Sequence, residues 1–186
     1  SAVGANGTVR NDGSVVTIET DKDIVDEIMR NLPPLAVIES VNREDVPYRG
    51  PEGFRVIESS RGAGGVSIPA DTAICDRCLR DMTEGRRKGY PFTTCTDCGA
   101  RFTLMRSLPY DRDKTSLDEF PMCQTCKKEY VDPKDRRFHH QTVCCPECGP
   151  RYFLLDRNGK ALPGDPITGF ASMLSEGRFG IAKRKY

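Results

Sequence analysis

The sequence predicts an α+β chain in which a small unit of strands and helix precedes a tandem of two four-cysteine zinc ribbons. Three observations lead there. Eight of the nine cysteines lie in four Cys-x-x-Cys pairs. The pairs recur in one repeated order along the middle of the chain. Apolar residues make up 37% of 186 residues, with no Trp, too few for a single large hydrophobic core.

The opening segment reads as alternating strand and helix. Residues 8–10 and 15–18 flank Asn11-Asp12-Gly13, whose last two residues are a favoured hairpin-turn pair, so an antiparallel hairpin is expected. Asp21 or Asp23 then caps a helix whose apolar residues Ile24, Val25, Ile28 and Met29 share one face, and Asn31-Leu32-Pro33-Pro34 stops it. Residues 36–41 and 54–58 read as two further strands. The order is strand, strand, helix, strand, strand, and it starts abruptly at Ser1.

Residues 1–60 thus form a first unit, and 61–71 a linker within the Gly- and Ser-rich run SSRGAGG and its continuation. Residues 72–156 are rich in cysteine, aromatics, Arg and Asp. In this stretch Cys75 and Cys78 lead to Cys95, Cys98 and Gly99, then Cys123 and Cys126 lead to Cys145, Cys148 and Gly149. Residues 157–186 make a third piece, with a turn at Asn158-Gly159, a helix over 166–176 and a basic end over 180–186.

Two intervening residues let both sulfurs of a pair face one ion at about 2.3 Å, so each pair supplies half of a tetrahedral site. The first pair of each copy precedes helical turns, 79–82 and 127–130, whose N-terminal dipole stabilises thiolates. The second pair precedes Gly99 or Gly149, each expected at positive φ with backbone N–H groups turned toward the sulfurs. Sixteen and eighteen residues separate the half-sites, which suits four-cysteine zinc sites. The repeat argues for two Zn2+ held in sequence: one by Cys75, Cys78, Cys95 and Cys98, the other by Cys123, Cys126, Cys145 and Cys148. Interleaved pairing, disulfides, an iron-sulfur cluster and dithiol redox chemistry are the alternatives. Four sulfurs fill a zinc ion, which argues against a catalytic metal. Cys144 reads as a small semi-buried residue or as an alternate ligand or reactive thiol, and His139 and His140 lie where either could replace a sulfur. Tyr90, Phe92, Phe102, Phe120, Phe138, Tyr152 and Phe153 read as ribbon cores rather than a base-stacking platform.

Thiolate ligation moves the formal charge from +1 to about −3, so no general basic field for nucleic acid remains. The clusters Arg86, Arg87, Lys88 and Arg136, Arg137 read as solvated surface or as neutralising the metal sites. No apolar run approaches the roughly 20 residues that span a bilayer, and the N-terminus carries no signal pattern. A soluble, cytoplasmic chain without membrane contact is expected, where paired cysteines bind metal rather than each other.

The motifs also carry a resemblance. Ile68-Pro69-Ala70-Asp71, Cys75 to Cys78, Tyr90-Pro91-Phe92-Thr93-Thr94-Cys95, Arg101-Phe102-Thr103, Pro109-Tyr110-Asp111-Arg112, Phe120-Pro121-Met122-Cys123, Asp132-Pro133, Asp135 to His139 and Cys145-Pro146-Glu147-Cys148-Gly149-Pro150 resemble the zinc-finger region of the HypF family. These are hydrogenase-maturation carbamoyltransferases. Gly7 to Gly13 and Leu32-Pro33-Pro34-Leu35 resemble the second half of the family's acylphosphatase-like, ferredoxin-like domain. Asp165-Pro166-Ile167 and Gly180 to Lys183 resemble the entry to its nucleotide-binding, YrdC-like domain.

The resemblance implies a full-length protein that uses carbamoyl phosphate and ATP to carbamoylate a C-terminal cysteine of the partner HypE, on the way to the cyanide ligands of [NiFe] hydrogenase. Asn11 matches the acylphosphatase asparagine and could orient a water or an acyl oxygen. The family's phosphate-cradling loop and arginine precede Gly7, and its later catalytic domains follow Lys183. The chain by itself is therefore expected to be an incomplete, non-catalytic zinc-binding portion. A free-standing zinc-ribbon adaptor for protein or nucleic acid is the competing expectation.

Overall fold

The computed structural model describes residues 4–12, 15–59 and 70–181. The turn residue Gly13, the linker after Ser59, and the segment from Ala182 to the end lie outside the described residues.

β1 (Gly7–Asn11) and β2 (Val16–Thr20) form the expected antiparallel hairpin, with Gly7 opposite Thr20 and Asn11 opposite Val16. β3 (Phe54–Val56) pairs with β1 in parallel, Gly7 opposite Phe54, so the sheet order is β2-β1-β3. Asp12 fastens the hairpin end by accepting from Arg10 Nε and Thr17 Oγ1, both at 2.6 Å. Asn6 fastens the other end: it donates to Asp21 through its backbone N–H and its Nδ2, at 2.8 and 2.7 Å, and its Oδ1 accepts from the Gly53 N–H at 2.7 Å. Asp21 is thereby committed to the sheet. It is Asp23 that accepts from the Val25 N–H, at 3.0 Å, at the start of α1 (Val25–Arg30).

The strand expected over 36–41 does not form. Residues 32–53 carry neither helix nor strand, and Val37 stands 85% exposed. β-branched residues favour a strand only where a pleated neighbour receives them, and neither β2 nor β3, the edge strands of the sheet, pairs with this segment. The last strand is also shorter than expected, ending at Val56.

In the cysteine-rich region each repeat carries one two-turn helix, α2 (Asp76–Thr83) and α3 (Gln124–Val131), and is otherwise short 3₁₀ turns and irregular chain. Among the described residues the core is three small clusters. Two of them centre on the cysteines, and the third, between the repeats, joins Tyr90, Leu117 and Cys144 with Phe92, Leu104 and Phe120. The aromatic expectation holds for Tyr90, Phe92 and Phe120 but not for Phe102, Tyr152 and Phe153, which are more than half exposed. With one short helix per repeat, no second layer of chain covers them among the described residues.

Beyond the second repeat, Leu154 to Leu162 fold back on themselves around Asn158-Gly159, and the Leu162 N–H donates to the Leu154 carbonyl at 2.8 Å. α4 (Pro166–Ser175) follows. Asp165 accepts from the Thr168 N–H at 2.7 Å and Pro166 occupies the first turn, where a missing N–H costs nothing.

Candidate metal centres

The eight paired cysteines gather into two groups, Cys75, Cys78, Cys95, Cys98 and Cys123, Cys126, Cys145, Cys148, with all four sulfurs of a group within 4.8 Å of one another. The geometry therefore brings the pairs together in sequence rather than interleaved. All eight are free thiols.

Local structure explains how each half-site is held. Cys75 and Cys123 occupy the same extended position just ahead of α2 and α3, and Cys78 and Cys126 are the third residues of those helices. One cysteine of each pair thus sits at the N-cap position, without a side-chain cap hydrogen bond, and the next lies inside the first turn, both in the field of the N-terminal dipole. The Cys75 N–H donates to Cys98 Sγ at 3.3 Å, and the Cys123 N–H donates to Cys148 Sγ in the same way. These bonds stitch the helical half-site to the other pair.

The glycines after the second pairs differ from expectation. Gly99 does take positive φ, at φ 75 and ψ −179, a region essentially reserved for glycine. Gly149 does not. A Cβ there would lie 2.1 Å from Tyr90 Oη and 2.8 Å from Cys144 Cβ, so its small size serves packing between the repeats.

Neighbouring sulfurs are 3.7 and 3.9 Å apart in the first group and 3.6 to 3.8 Å apart in the second. A disulfide would require about 2.05 Å. An ion bound to four sulfurs at about 2.3 Å sets tetrahedral edges of about 3.8 Å, the spacing found here. The donors' own chemistry agrees. A hydrogen bond from Cys78 holds Cys95 down to about 4, and the same bond, with burial, pushes Cys78 far up. Crowded thiols cannot all ionise alone, whereas a central cation accepts all four as thiolates.

Arginines supply the surrounding positive charge. Arg86 donates to Cys123 Sγ at 3.2 Å and Cys126 Sγ at 3.0 Å, and Arg136 donates to Cys78 Sγ at 2.9 Å. Arg87 is buried, pairs with Glu129 and donates to the Cys144 carbonyl at 3.0 Å. Arg137, also buried, pairs with Asp81 and donates to the Thr94 carbonyl at 3.2 Å. Of the two readings the sequence allowed for these clusters, the neutralising one describes the contacts of the arginines, while Lys88 is exposed. What sequence reasoning missed is which repeat each arginine serves: their equal distance ahead of Cys95 and Cys145 marks them as equivalent positions without saying which group they meet.

The remaining candidates lie outside both groups. Cys144 is buried, burial pushes its thiol up, and Tyr90 Oη sits 3.5 Å from its sulfur. That is the environment of an inert thiol. His140 is buried between Thr94 Oγ1 at 2.8 Å and Thr142 Oγ1 at 3.1 Å, and His139 packs on Tyr130 and Phe138. Asn11 lies in the β1 ladder opposite Val16.

Fold and site together define a tandem of four-cysteine metal-binding ribbons joined to a small mixed sheet. Residues 74–105 and 122–155 match the family described as HypF finger. The chain is 42% identical to carbamoyltransferase HypF of Rhodobacter capsulatus over 187 aligned positions, covering 98% of this chain and 25% of that one. Among solved structures it is similar to full-length HypF in the phosphate- and nucleotide-bound form, with a TM-score of 0.83 and 39% identity over 93% of this chain and 24% of that one. HypF of T. kodakarensis gives a TM-score of 0.79 and 37% identity over 95% and 23%. The chain belongs to the HypF carbamoyltransferase family and spans about a quarter of the length of these relatives.

Proposed function

We propose that this chain is the zinc-binding portion of a hydrogenase-maturation carbamoyltransferase, with one Zn2+ held by Cys75, Cys78, Cys95 and Cys98 and a second by Cys123, Cys126, Cys145 and Cys148. The sulfur–sulfur spacing of 3.6 to 3.9 Å in both groups carries the reading. All-thiolate tetrahedral donor sets favour zinc over the oxygen-seeking divalent ions. Each ion would cross-link a helix start to a distant loop and reinforce the small clusters that form the core of each repeat. With four sulfurs bound, no position is left for water or substrate, so the role is structural.

In this reading residues 1–60 belong to an acylphosphatase-like domain, 61–71 to a linker, 72–156 to the zinc module, and 157–186 to the start of a nucleotide-binding domain. Carbamoyl phosphate, ATP and the partner HypE are engaged by the full-length cytoplasmic protein. Asn11 offers a neutral amide, which orients a nucleophile but does not neutralise charge developing on a phosphate.

Native mass spectrometry of the purified chain should find two zinc ions, falling to one in Cys145→Ser and staying at two in Cys144→Ser. One ion in the unaltered chain, or none with the fold intact, would overturn the assignment. Phosphate release from carbamoyl phosphate should not exceed the spontaneous rate. Release that is lost in Asn11→Ala would instead make the chain an enzyme.

A further inference from the structure

The arginines that touch sulfur come from the wrong repeat. Arg86 belongs to the first repeat and donates to the second group, while Arg136 belongs to the second and donates to the first. The exchange is one contact of a reciprocal set. Arg86 and Arg136 each lie nine residues ahead of the third cysteine of their own repeat, and Arg87 and Arg137 eight. Both members of the first pair bind Glu129 on α3, and both members of the second bind Asp81 on α2. Glu129 and Asp81 are themselves equivalent, each three residues past a second cysteine.

Arg87 Nε donates to the Cys144 carbonyl and Arg137 Nε to that of Thr94, again equivalent residues. Thr94 Oγ1 meets His140 while Cys144 Sγ meets Tyr90, the same positions with roles exchanged. Even the backbone repeats. Gly89 at φ 70 and His139 at φ 51 sit in matching places, and their N–H groups donate to the Met82 and Tyr130 carbonyls at 2.8 and 2.9 Å.

We propose that Arg86 and Arg136 are positioning residues supplied in trans, so that each metal site is completed by the other repeat and occupancy of one strengthens the other. The proposal rests on the zinc reading above. A four-thiolate divalent site carries two negative charges, and a guanidinium at hydrogen-bond distance neutralises part of that charge and fixes sulfur orientation. The loop bearing each arginine is set by the same repeat's ion, because it runs between that repeat's two half-sites. A metal-free repeat therefore presents its arginine pair poorly to its neighbour, which is a coupling between two sites and hence reciprocal.

The test titrates the whole chain with Co2+ against a chelator, following the thiolate charge-transfer bands. Cys145→Ser isolates the first site and Cys95→Ser the second. Arg136→Ala is expected to weaken the first site about ten- to a hundred-fold and Arg86→Ala the second by a similar factor, the usual effect of losing an outer-shell partner. Each arginine change should leave the site of its own repeat within a few-fold, with Arg→Lys restoring part of the loss. Each isolated site should also bind more weakly than in the intact chain. Loss confined to the variant's own repeat, equal loss at both sites, or no loss would overturn the proposal. Failure of the unaltered chain to take up two ions would instead overturn the zinc reading.

Discussion

Gly99 and Gly149 follow equivalent cysteines, yet each is glycine for its own reason. Gly99 sits at φ 75 and ψ −179, where any side chain strains the backbone by about 1–3 kcal/mol. Gly149 has an ordinary φ but faces Tyr90 Oη and Cys144 Cβ across the join between repeats, and overpacking such a contact costs about 1–3 kcal/mol. Both Ala variants should destabilise the metal-loaded chain in denaturant titrations. The two causes separate in a double-mutant cycle. Tyr90→Phe removes the nearest clash and should recover part of the Gly149→Ala loss, but none of the Gly99→Ala loss. Additivity at Gly149 would show that its conformation, not its size, is what matters.

Among the elements, legibility followed locality. The β1–β2 hairpin, α1, α4 and the helices behind Cys75 and Cys123 were readable because turn pairs, prolines and ligand spacing act over a few residues. The ligand groups were readable because a four-sulfur site repeats its spacing. Residues 36–41 misled because Val37, Ile38 and Val41 carry strand propensity, while neither edge strand of the sheet, β2 or β3, pairs with them. The role of Gly149 was misread because Tyr90 is remote in sequence. The arginine exchange was hidden for the same reason: Arg86 and Cys126 are forty residues apart, Arg136 and Cys78 fifty-eight, and residue type and spacing alone do not tell which helix a guanidinium will meet.

At the scale of the whole molecule, the sheet and the ribbons touch through Leu35, which packs 3.3 Å from where a Gly99 side chain would begin, and through Ser59 and Asp111. Among the described residues these are slight contacts beside the dense exchange between the ribbons. Stability of the ribbons is therefore expected to depend on each other more than on the sheet.

The matched exchange of arginine, carboxylate and carbonyl is what a twofold axis produces when one surface meets a copy of itself. The two ribbons are, in effect, an isologous dimer written on one polypeptide, as a duplicated unit would be. A single ribbon cut from the chain keeps both halves of the recognition, since Arg136 and Arg137 of one copy of 122–155 would find Glu129 and the sulfurs of another. Zinc-loaded 122–155 should then sediment as a dimer, and Arg136→Ala with Arg137→Ala should return it to monomer. Fusing the halves raises their effective concentration far above any cellular one, which frees the contact from dependence on protein abundance and leaves metal supply as the variable that governs assembly.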